Sequence, residues 1–535
     1  MFLRSVRDIF LQLSAAMFLL RKSNKVCLYH MSSTVFACLL SAVLLAAPFL
    51  VPSLFPLAWV AFVPLLWAID QAKSLRQAAF YGWLVGFIAH LVGFHWLVYT
   101  ISVFGGFPYP ISTVVFVIYA ALQGIQMAIF AFFVRGVGFG PWQIFPALFW
   151  VSIEFLFPLL FPWHLSNTQN SFSWFIQTAD LAGPYGASFL LMWFNAIVAG
   201  ALFKAAPGTK ARWTPAALFT VCLVANLTYG FVRLNQVTTQ MNTAPRLSVA
   251  AVQGNIGVGM KWDPKQMNVN LDAHTKLTQE IEGVQVVIWP ESAIEEWLPE
   301  NLQALPPQFV ESLRLKDAYF IFGTRSYRGN PQGPDLRAFN TAFLTDAKGR
   351  VLGRYHKQVL LAFGEYIPFS GLLGLLPGMP FVEGFSAGDG LRTLDLPGGI
   401  KIAPLICYED LMPELSRSFV REKKANLLVN LTNDAWYGNT VAPWQHARLA
   451  LWRAIETRRS LLRVTNTGVT SFINAKGEMV ETLPVFTPAV LKTRVEILEG
   501  ETFYVRFGDW FAWGITFISI GIILVQYMRR SSPTR

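Results

Sequence analysis

The chain is poor in charged residues and in cysteine. Only 14% of its 535 residues are charged, whereas 53% are hydrophobic. This balance excludes an ordinary soluble protein, and four cysteines in such a length exclude a scaffold built on disulfides. There are no internal repeats and no low-complexity tracts, which excludes a solenoid and a disordered chain. The net charge is +11, but no basic stripe alternates with stacking aromatics, so we expect no nucleic-acid partner.

Two signatures of bound cofactors are also missing from the sequence. No group of His, Cys, Asp and Glu has the spacing of a metal site. No glycine-rich loop follows a strand in the manner of a phosphate cradle. We therefore predict neither a metal nor another cofactor, and we look for the chemistry among the side chains.

What the sequence does contain is a series of long apolar runs. Runs of roughly 17 to 25 residues are long enough to span a bilayer. We recognise eight of them and predict a polytopic α-helical membrane domain. The predicted spans are 33–51, 54–69, 78–100, 111–134, 142–161, 187–203, 215–232 and 510–527.

The distribution of Lys and Arg predicts the orientation of these spans. Basic residues precede the first span and follow the second, fourth, sixth and eighth, whereas loops 51–53, 101–110 and 162–186 have none. Since basic loops are retained in the cytoplasm, we expect both termini there and the large polar segment outside. The predicted organisation is an amphipathic cytoplasmic segment 1–32, a transmembrane domain 33–233 with seven spans, a large extracytoplasmic domain 244–501, an eighth span 509–528 and a cytoplasmic tail 529–535.

Two stretches have more than one interpretation. The first 30 residues have the pattern of an interfacial amphipathic helix, and the alternative is a start mis-assigned upstream of Met31. The stretch 369–382 is apolar and rich in Gly and Pro. It is too short to span, and it fits either a lid that rests on lipid or a buried Ω-loop.

The polar segment has the pattern of an α/β fold. Short β-rich runs bounded by Gly, Pro and Asn alternate with helical stretches. The run 286–289 is apolar on both faces, which is typical of a strand covered on both sides. We predict strands within 247–252, 284–289, 319–323, 340–344, 401–406, 427–431 and 461–464, and helices within 266–282, 413–424 and 441–459.

Cys407 is the only cysteine of this segment, so it has no partner for a disulfide within its own domain. It is either a nucleophile or a small buried hydrophobe. A thiol with a pKa of about 8.5 needs a nearby base and a cation to react at neutral pH. Glu291 directly follows a strand, and Lys357 lies in a polar connection after another. Singly, such residues are usually surface charges, but active-site groups of α/β folds gather at strand exits.

We therefore predict that Glu291 is the base and that Lys357 is the cation that favours the thiolate. Acyl transfer also needs donors at the developing oxyanion. The candidates are the Lys357 ammonium and the backbone N–H of Tyr408, the residue after Cys407.

The sequence contexts of these residues resemble a known superfamily. Trp-Pro-Glu at 289–291, Tyr-x-Lys at 355–357 and Ile-Cys-Tyr-Glu at 406–409 look like the nitrilase superfamily. Together with the spans, Gln-Gly-Asn-Ile at 253–256 and Lys-Trp at 261–262 resemble the bacterial apolipoprotein N-acyltransferases. The resemblance covers nearly the whole chain. It implies a nitrilase-like αββα sandwich on the periplasmic side of a bacterial inner membrane.

The same resemblance implies roles for seven residues. These are Glu291 as general base, Lys357 as oxyanion stabiliser, Cys407 as the acylated nucleophile, Glu365 as support for the lysine, Tyr408 and Glu409 as residues that shape the site, and Trp262 as an aromatic near the substrate. The motifs at 433–438 and 445–446 match the family as well. For Trp436, Tyr437 and His446 an ordinary packing role is the alternative.

The implied reaction moves a fatty acyl chain from a phospholipid, through a thioester on Cys407, to the α-amine of a diacylglyceryl-modified apolipoprotein. The bilayer is then a partner, because both substrates carry fatty chains. One alternative is a membrane-tethered amidase or hydrolase that releases free acid. Another is a scaffold or receptor that has kept an enzyme fold. Glu154, His90 and His95 lie in or near spans, where ionisable groups are functional candidates, and we favour interhelix hydrogen bonds for them.

Overall fold

Apolar helices before residue 244 and after residue 509 flank a unit of two β-sheets. The computed structural model describes residues 27–203, 213–261, 263–366 and 384–531. The predicted lid 369–382, Trp262 and most of the amphipathic segment 1–32 lie outside the described residues. The α-helices are α1 Cys27–Leu50, α2 Val63–Gln71, α3 Leu75–Gly93, α4 Leu97–Gly105, α5 Tyr109–Gln123, α6 Ile125–Val137, α7 Phe145–Leu156, α8 Ser173–Ile176, α9 Ala179–Ala182, α10 Tyr185–Phe203, α11 Trp213–Thr243, α12 Met267–Gln279, α13 Pro307–Leu313, α14 Pro413–Lys423, α15 Ala442–Thr457, α16 Phe503–Phe507 and α17 Trp510–Ser531.

Within the described residues, six helical segments are long and apolar enough to cross a membrane. A seventh candidate is the pair α3 and α4, which meet at 65° across a short break. The chain is therefore a membrane protein with several apolar helices. The six segments are Ser33–Leu50, Pro52–Gln71, Tyr109–Val137, Tyr185–Phe203, Trp213–Thr243 and Trp510–Arg530.

The prediction of eight spans is not confirmed. The predicted span 142–161 corresponds to α7, which has only 12 residues. The helix ends because Phe157 is extended, with ψ 124°, as is usual for a residue before proline. Pro158 and Pro162 then keep the following chain out of a helix.

The polar segment forms two β-sheets. One has seven strands in the order β13-β1-β2-β4-β5-β6, with β3 paired to β4, and the other has six in the order β12-β11-β10-β9-β8-β7. Strands β1, β2 and β4 are parallel, as are β8, β9 and β10. The strands are β1 Arg246–Gln253, β2 Val286–Ile288, β3 Ile294–Pro299, β4 Tyr319–Arg328, β5 Arg337–Thr345, β6 Val351–His356, β7 Leu394–Leu396, β8 Ile400–Ile406, β9 Leu427–Thr432, β10 Leu461–Thr465, β11 Ser471–Ile473, β12 Met479–Thr482 and β13 Ala489–Glu496.

The two sheets pack face to face with helices on their outer sides. On β1, Val249 and Ala251 join the core between the sheets, while Ala250 and Val252 join a second cluster that includes residues of α12 and α13. This division follows from the period of two along a strand. It explains why the parallel strands read as apolar on both faces. The αββα sandwich is present, and each of the seven predicted strands and three predicted helices lies where an element is found.

A buried ionic cluster joins the sandwich to the membrane helices. Asp180 of α9 accepts hydrogen bonds from Arg233 of α11 at 2.7 Å and from Arg458, just after α15, at 2.9 Å. The Tyr229 hydroxyl donates to the same carboxylate at 2.7 Å. A buried charge is tolerated only when it is paired and hydrogen-bonded. Since the partners of Asp180 come from both a membrane helix and the sandwich, the cluster fixes how the sandwich packs against the spans.

Candidate active site

Glu291 lies in the turn after β2 with its carboxylate buried. Asn340 Nδ2 of β5 donates to one carboxylate oxygen at 2.7 Å, and the Asn433 N–H, directly after β9, donates to the other at 2.9 Å. The glycine at position 323 lets β4 pass close to the backbone of Glu291, because a Cβ on Gly323 would lie only 2.6 Å from the Glu291 Cα. Burial raises the pKa of Glu291, although the nearby Lys357 lowers it in part.

Lys357 follows β6 and is 1% exposed. Its Nζ lies 2.7 Å from Glu365 Oε2, and Asn340 Nδ2 also donates to Glu365 Oε1 at 3.0 Å. Burial alone would lower the pKa of Lys357, but Glu365, Cys407 and Glu291 raise it well above its usual value. Lys357 is therefore a permanent ammonium at physiological pH. Asn340 is a residue that sequence reasoning missed, because an amide in the middle of a strand gives no signal of its own.

Cys407 directly follows β8 and begins a 3-10 turn, Cys407–Leu411. Its φ is +52°, an unusual value for a residue other than glycine that is often found at active sites. The first N–H groups of such a turn have no acceptor inside it, and the Tyr408 N–H is one of them. The sharp turn thus places the Cys407 thiol beside the Tyr408 N–H, the predicted second donor to the oxyanion.

The three predicted groups are brought close enough to shift one another's protonation. Burial and the Glu291 carboxylate raise the pKa of Cys407 well above its usual value, whereas Lys357 and a hydrogen bond from Thr432 lower it. The resting sulfur is therefore a thiol rather than a preformed thiolate. A reaction at this sulfur needs a base at the moment of attack, and Glu291 is the carboxylate with the largest effect on the pKa of Cys407.

Glu409 ties the lysine loop to the cysteine turn. Its Oε1 accepts hydrogen bonds from the Tyr355 hydroxyl at 2.9 Å and from the Gln358 N–H at 2.7 Å. Its Oε2 accepts from the Ile406 N–H at 2.8 Å. Burial raises the pKa of Glu409 to about 7 even though these donors and Lys357 lower it. Its observed contacts are those of a residue that positions both loops.

One wall of the site is made by membrane helices. The Tyr408 hydroxyl donates to the Leu160 carbonyl at 2.5 Å, in the loop after α7. Trp96, at the bend before α4, lies 5.1 Å from Tyr437 by ring centroids. The ring centroids of Trp436 and of Phe104 in α4 lie 4.5 Å apart. Cys407 thus packs against an apolar cluster that the two parts of the chain share.

His446 of α15 is clamped between two aspartates beneath the cysteine turn. Its Nε2 lies 2.8 Å from Asp410 Oδ1 and its Nδ1 lies 2.9 Å from Asp434 Oδ1. Arg463 also pairs with Asp410 and lies 3.5 Å from Asp434. Burial alone would lower the pKa of His446, but Asp410 and Asp434 raise it to about 9. The cluster of two anions and two cations is neutral only when the imidazole is protonated.

This cluster predicts a pH dependence of stability. A histidine whose pKa is raised on folding stabilises the protein fully below its unfolded pKa of about 6.5, and that stabilisation is lost as the pH rises through the folded value. With a folded pKa of about 9, we expect the unfolding temperature of wild type to fall between pH 6.5 and 9 relative to His446→Gln. Thermal unfolding in detergent at several pH values measures the difference.

His274→Gln is the matched control for that experiment. His274 is also buried on a helix of the sandwich, but burial lowers its pKa to about 4. It is neutral in the folded chain across this range, and above about pH 7.5 it is also largely neutral in the unfolded chain. Its replacement should therefore leave the change of unfolding temperature with pH unaltered from about pH 7.5 to 9. If the unfolding temperature changed equally with pH in wild type and in His446→Gln, the protonation of His446 between the two aspartates would be contradicted.

In the described part of the chain, no group of three His, Cys, Asp or Glu residues could hold a metal ion. The interhelix hydrogen bonds that we expected for Glu154 are not what its Oε1 makes: it accepts from Trp150 Nε1 of the same helix α7 at 3.1 Å and from the Leu165 N–H of the 3-10 turn Leu165–Gln169 at 2.7 Å.

Two family models match separate parts of the chain. A family model described as the apolipoprotein N-acyltransferase N-terminal domain matches residues 41–197, and one described as carbon-nitrogen hydrolase matches residues 248–497. The apolipoprotein N-acyltransferase of Geobacter metallireducens is 35% identical over 514 residues, which cover 92% of this chain and 95% of that protein. That of Azotobacter vinelandii is 31% identical over 512 residues, covering 91% and 93%. Among solved structures, an amidase from Nesterenkonia sp. matches with 20% identity and a TM-score of 0.34, over 50% of this chain and 95% of that one.

Proposed function

This chain belongs to the apolipoprotein N-acyltransferase family, and we propose that it transfers a fatty acyl chain from a phospholipid to the N-terminal α-amine of a diacylglyceryl-modified apolipoprotein. The observation that supports this most strongly is the position of Cys407. Its turn packs in one apolar cluster with the helices and loops of the membrane part. A thiol in that position meets an acyl chain that arrives from the bilayer, so the chain need not be extracted into water at about 0.8 kcal/mol per CH₂.

In the first half of the proposed reaction, Glu291 takes the proton from Cys407 as the sulfur attacks the ester carbonyl carbon of the phospholipid. The Lys357 ammonium and the Tyr408 N–H stabilise the oxyanion. The carbon–oxygen bond then breaks, and the lysophospholipid leaves with the proton that Glu291 returns to its alkoxide. The acyl group remains on Cys407 as a thioester.

In the second half, the α-amine of the apolipoprotein attacks the thioester carbon. Glu291 takes a proton from the amine and returns it to the departing sulfur, so the thiol is restored and an amide is formed. Its raised pKa suits a group that must both accept and donate a proton near neutral pH. Glu365 and Glu409 hold Lys357 and the two loops in place for both halves, and Trp262 is proposed to lie near the substrate.

We also propose the orientation that the basic loops indicate. The sandwich lies on the periplasmic side of a bacterial inner membrane, and both termini lie in the cytoplasm. The domain bounds 33–233 and 244–501 are proposed as the membrane and catalytic domains.

The fate of the acyl group tests the function directly. The full-length protein in phospholipid nanodiscs receives a donor with a labelled acyl chain and a synthetic diacylglyceryl-cysteine peptide. We expect the label on the peptide α-amine, stable to hydroxylamine, together with one equivalent of lysophospholipid. An N-acetylated peptide is the matched control and should receive none. Release of the label as free acid at the same rate with both peptides would mean that the protein is a hydrolase and would overturn the proposal.

A further inference from the structure

A groove separate from the candidate active site lies at the junction of the membrane part and the sandwich. It encloses about 690 Å³ of empty space, counting its open mouth. The ends of α1 and α3 form one side, the loop after α7 forms another, and α15 closes it from the sandwich. None of the three reactive residues lines it. The lining includes Leu45, Phe49, Ala89, Gly93, Phe94 and Leu449.

Two buried nitrogens line this apolar space without hydrogen-bond partners among the described residues. His90 is 2% exposed and Trp163 is 4% exposed. The Nδ1 of His90 lies 2.7 Å from the Gly86 carbonyl, so Nδ1 carries the hydrogen and Nε2 is left as an acceptor. Neither His90 Nε2 nor Trp163 Nε1 is satisfied. A buried polar atom in that state costs free energy, and a ligand with polar groups at this depth removes the cost.

A cation stands at the sandwich side of the same groove. Arg448 of α15 is half-buried, and its guanidinium lies 5.7 Å from the centroid of the Trp444 ring. Burial lowers the pKa of Arg448 from its usual value, and no carboxylate of the described residues offsets that shift. A partly desolvated arginine without an anion is a site for phosphate, which the guanidinium fork matches in charge and geometry.

We propose that this groove binds one intact glycerophospholipid of the surrounding leaflet, at a site separate from the catalytic cysteine. An acyl chain lies against the apolar walls and the phosphate pairs with Arg448. An ester carbonyl accepts the Trp163 N–H, and a headgroup hydroxyl or amine donates to His90. The diacylglyceryl group of an apolipoprotein has no phosphate, so the charge at the mouth favours a phospholipid over the acceptor.

The bound lipid would contact the residue that holds the bend between α3 and α4. Gln445 also lines the groove. Its Oε1 accepts from Trp96 Nε1 at 2.8 Å, and its Nε2 donates to the Gly93 carbonyl at 3.1 Å. Since Trp96 packs on Tyr437 at the active-site wall, a lipid in the groove supports that wall from behind.

Filling the groove tests the proposal with little risk to the fold. A Cβ on Gly93 would meet no atom within 4 Å, so a Gly93→Leu side chain starts in open space, and Gly93 itself lines the groove. Gly521 of α17 is equally open and lies far along the chain, on a lipid-facing helix, so Gly521→Leu is the matched control. Both changes are made in full-length Cys407→Ala protein, which cannot consume a lipid probe at the catalytic site.

The probe is phosphatidylglycerol with a diazirine in its acyl chain, in nanodiscs, and crosslinked peptides are mapped by mass spectrometry. We expect crosslinks in 45–52 and 89–94 that disappear in Gly93→Leu and persist in Gly521→Leu, while crosslinks near residue 407 remain in both. Unchanged crosslinks in Gly93→Leu would overturn the site. Absence of these crosslinks from the parent protein would also overturn the site, because it would mean that another part of the protein covers the groove.

The phosphate contact is tested in the same assay. Unlabelled phosphatidylglycerol should compete for these crosslinks, whereas diacylglycerol with the same chains should not. Arg448→Gln should weaken the competition about tenfold, as expected for loss of one charge-assisted contact. Equal competition by the two lipids, or no change in Arg448→Gln, would overturn the assignment of a phospholipid.

Discussion

Replacing Cys407 with alanine is expected to abolish both the covalent intermediate and the transfer of acyl chains. With labelled phospholipid, wild type should carry a hydroxylamine-sensitive acyl group on the peptide that contains residue 407, and Cys407→Ala should carry none. The overall rate should fall by a factor on the order of 10⁴ to 10⁶, as is found when the nucleophile of a concerted catalytic group is removed. Mass spectrometry of the purified protein and a single-turnover assay measure the two effects.

The fold should survive this substitution. Alanine meets the same steric cost as cysteine at a φ of +52°, and the four donors to Glu409 that order the turn are all retained. Glu291→Gln is the companion variant, because it keeps the thiol and removes the base. It should react slowly with the donor at every pH below the pKa of the thiol. An acyl adduct that persists in Cys407→Ala would defeat the covalent mechanism.

Replacing Lys357 with methionine is expected to have the second largest effect. It removes the ammonium that lowers the pKa of both Cys407 and Glu291. Loss of one oxyanion donor typically costs 10²- to 10³-fold in rate, or about 3 to 4 kcal/mol. The pKa of Glu291 should also rise, because Lys357 lowers it in wild type, so part of the lost rate should return at higher pH.

Stability must be separated from catalysis in this variant. Lys357→Met leaves the Glu365 carboxylate buried without the ammonium that lies 2.7 Å away, which costs about 3 to 5 kcal/mol for a buried pair. The double variant Lys357→Met, Glu365→Gln removes that orphaned charge. It should regain most of the unfolding temperature but none of the burst of lysophospholipid release. A normal burst in either variant would remove Lys357 from the reaction.

The chemistry of the candidate site was predictable from the sequence because it depends on residue types. One cysteine in a long polar segment, a glutamate and a lysine at strand exits, and the contexts around them indicate a thiol, a base and a cation. The strands were predictable for a similar reason. Apolar runs such as 427–431 have the length and the β-branched or aliphatic composition of buried strands, and β9 is found there.

Other features had no local signal. Asn340 donates to both Glu291 and Glu365, but only the pairing of β5 with β4 and β6 brings its amide to that point. His446 looked like a histidine packed on an apolar helix. Its protonated state depends on Asp410 and Asp434, which lie in two other loops.

The predicted number of spans is not confirmed, for a related reason. The run 142–161 has the composition of a span, but hydropathy averages over the window and does not register that Pro158 and Pro162 interrupt it. The resulting helix has 12 residues, and the chain beyond it contacts the candidate active site, since the Leu160 carbonyl accepts a hydrogen bond from the Tyr408 hydroxyl.

By itself, the sequence determined that this is a membrane protein with an α/β domain, and it indicated the three side chains that we propose to be reactive. Composition, periodicity and residue chemistry are properties of the chain alone. The tertiary structure decided which groups meet. Residues far apart in sequence meet in four places. These are the hydrogen bonds to Glu291, the two aspartates around His446, the apolar cluster at Cys407 and the groove at Arg448. Such contacts depend on strand register and on how the sandwich packs against the helices, and no local pattern encodes either.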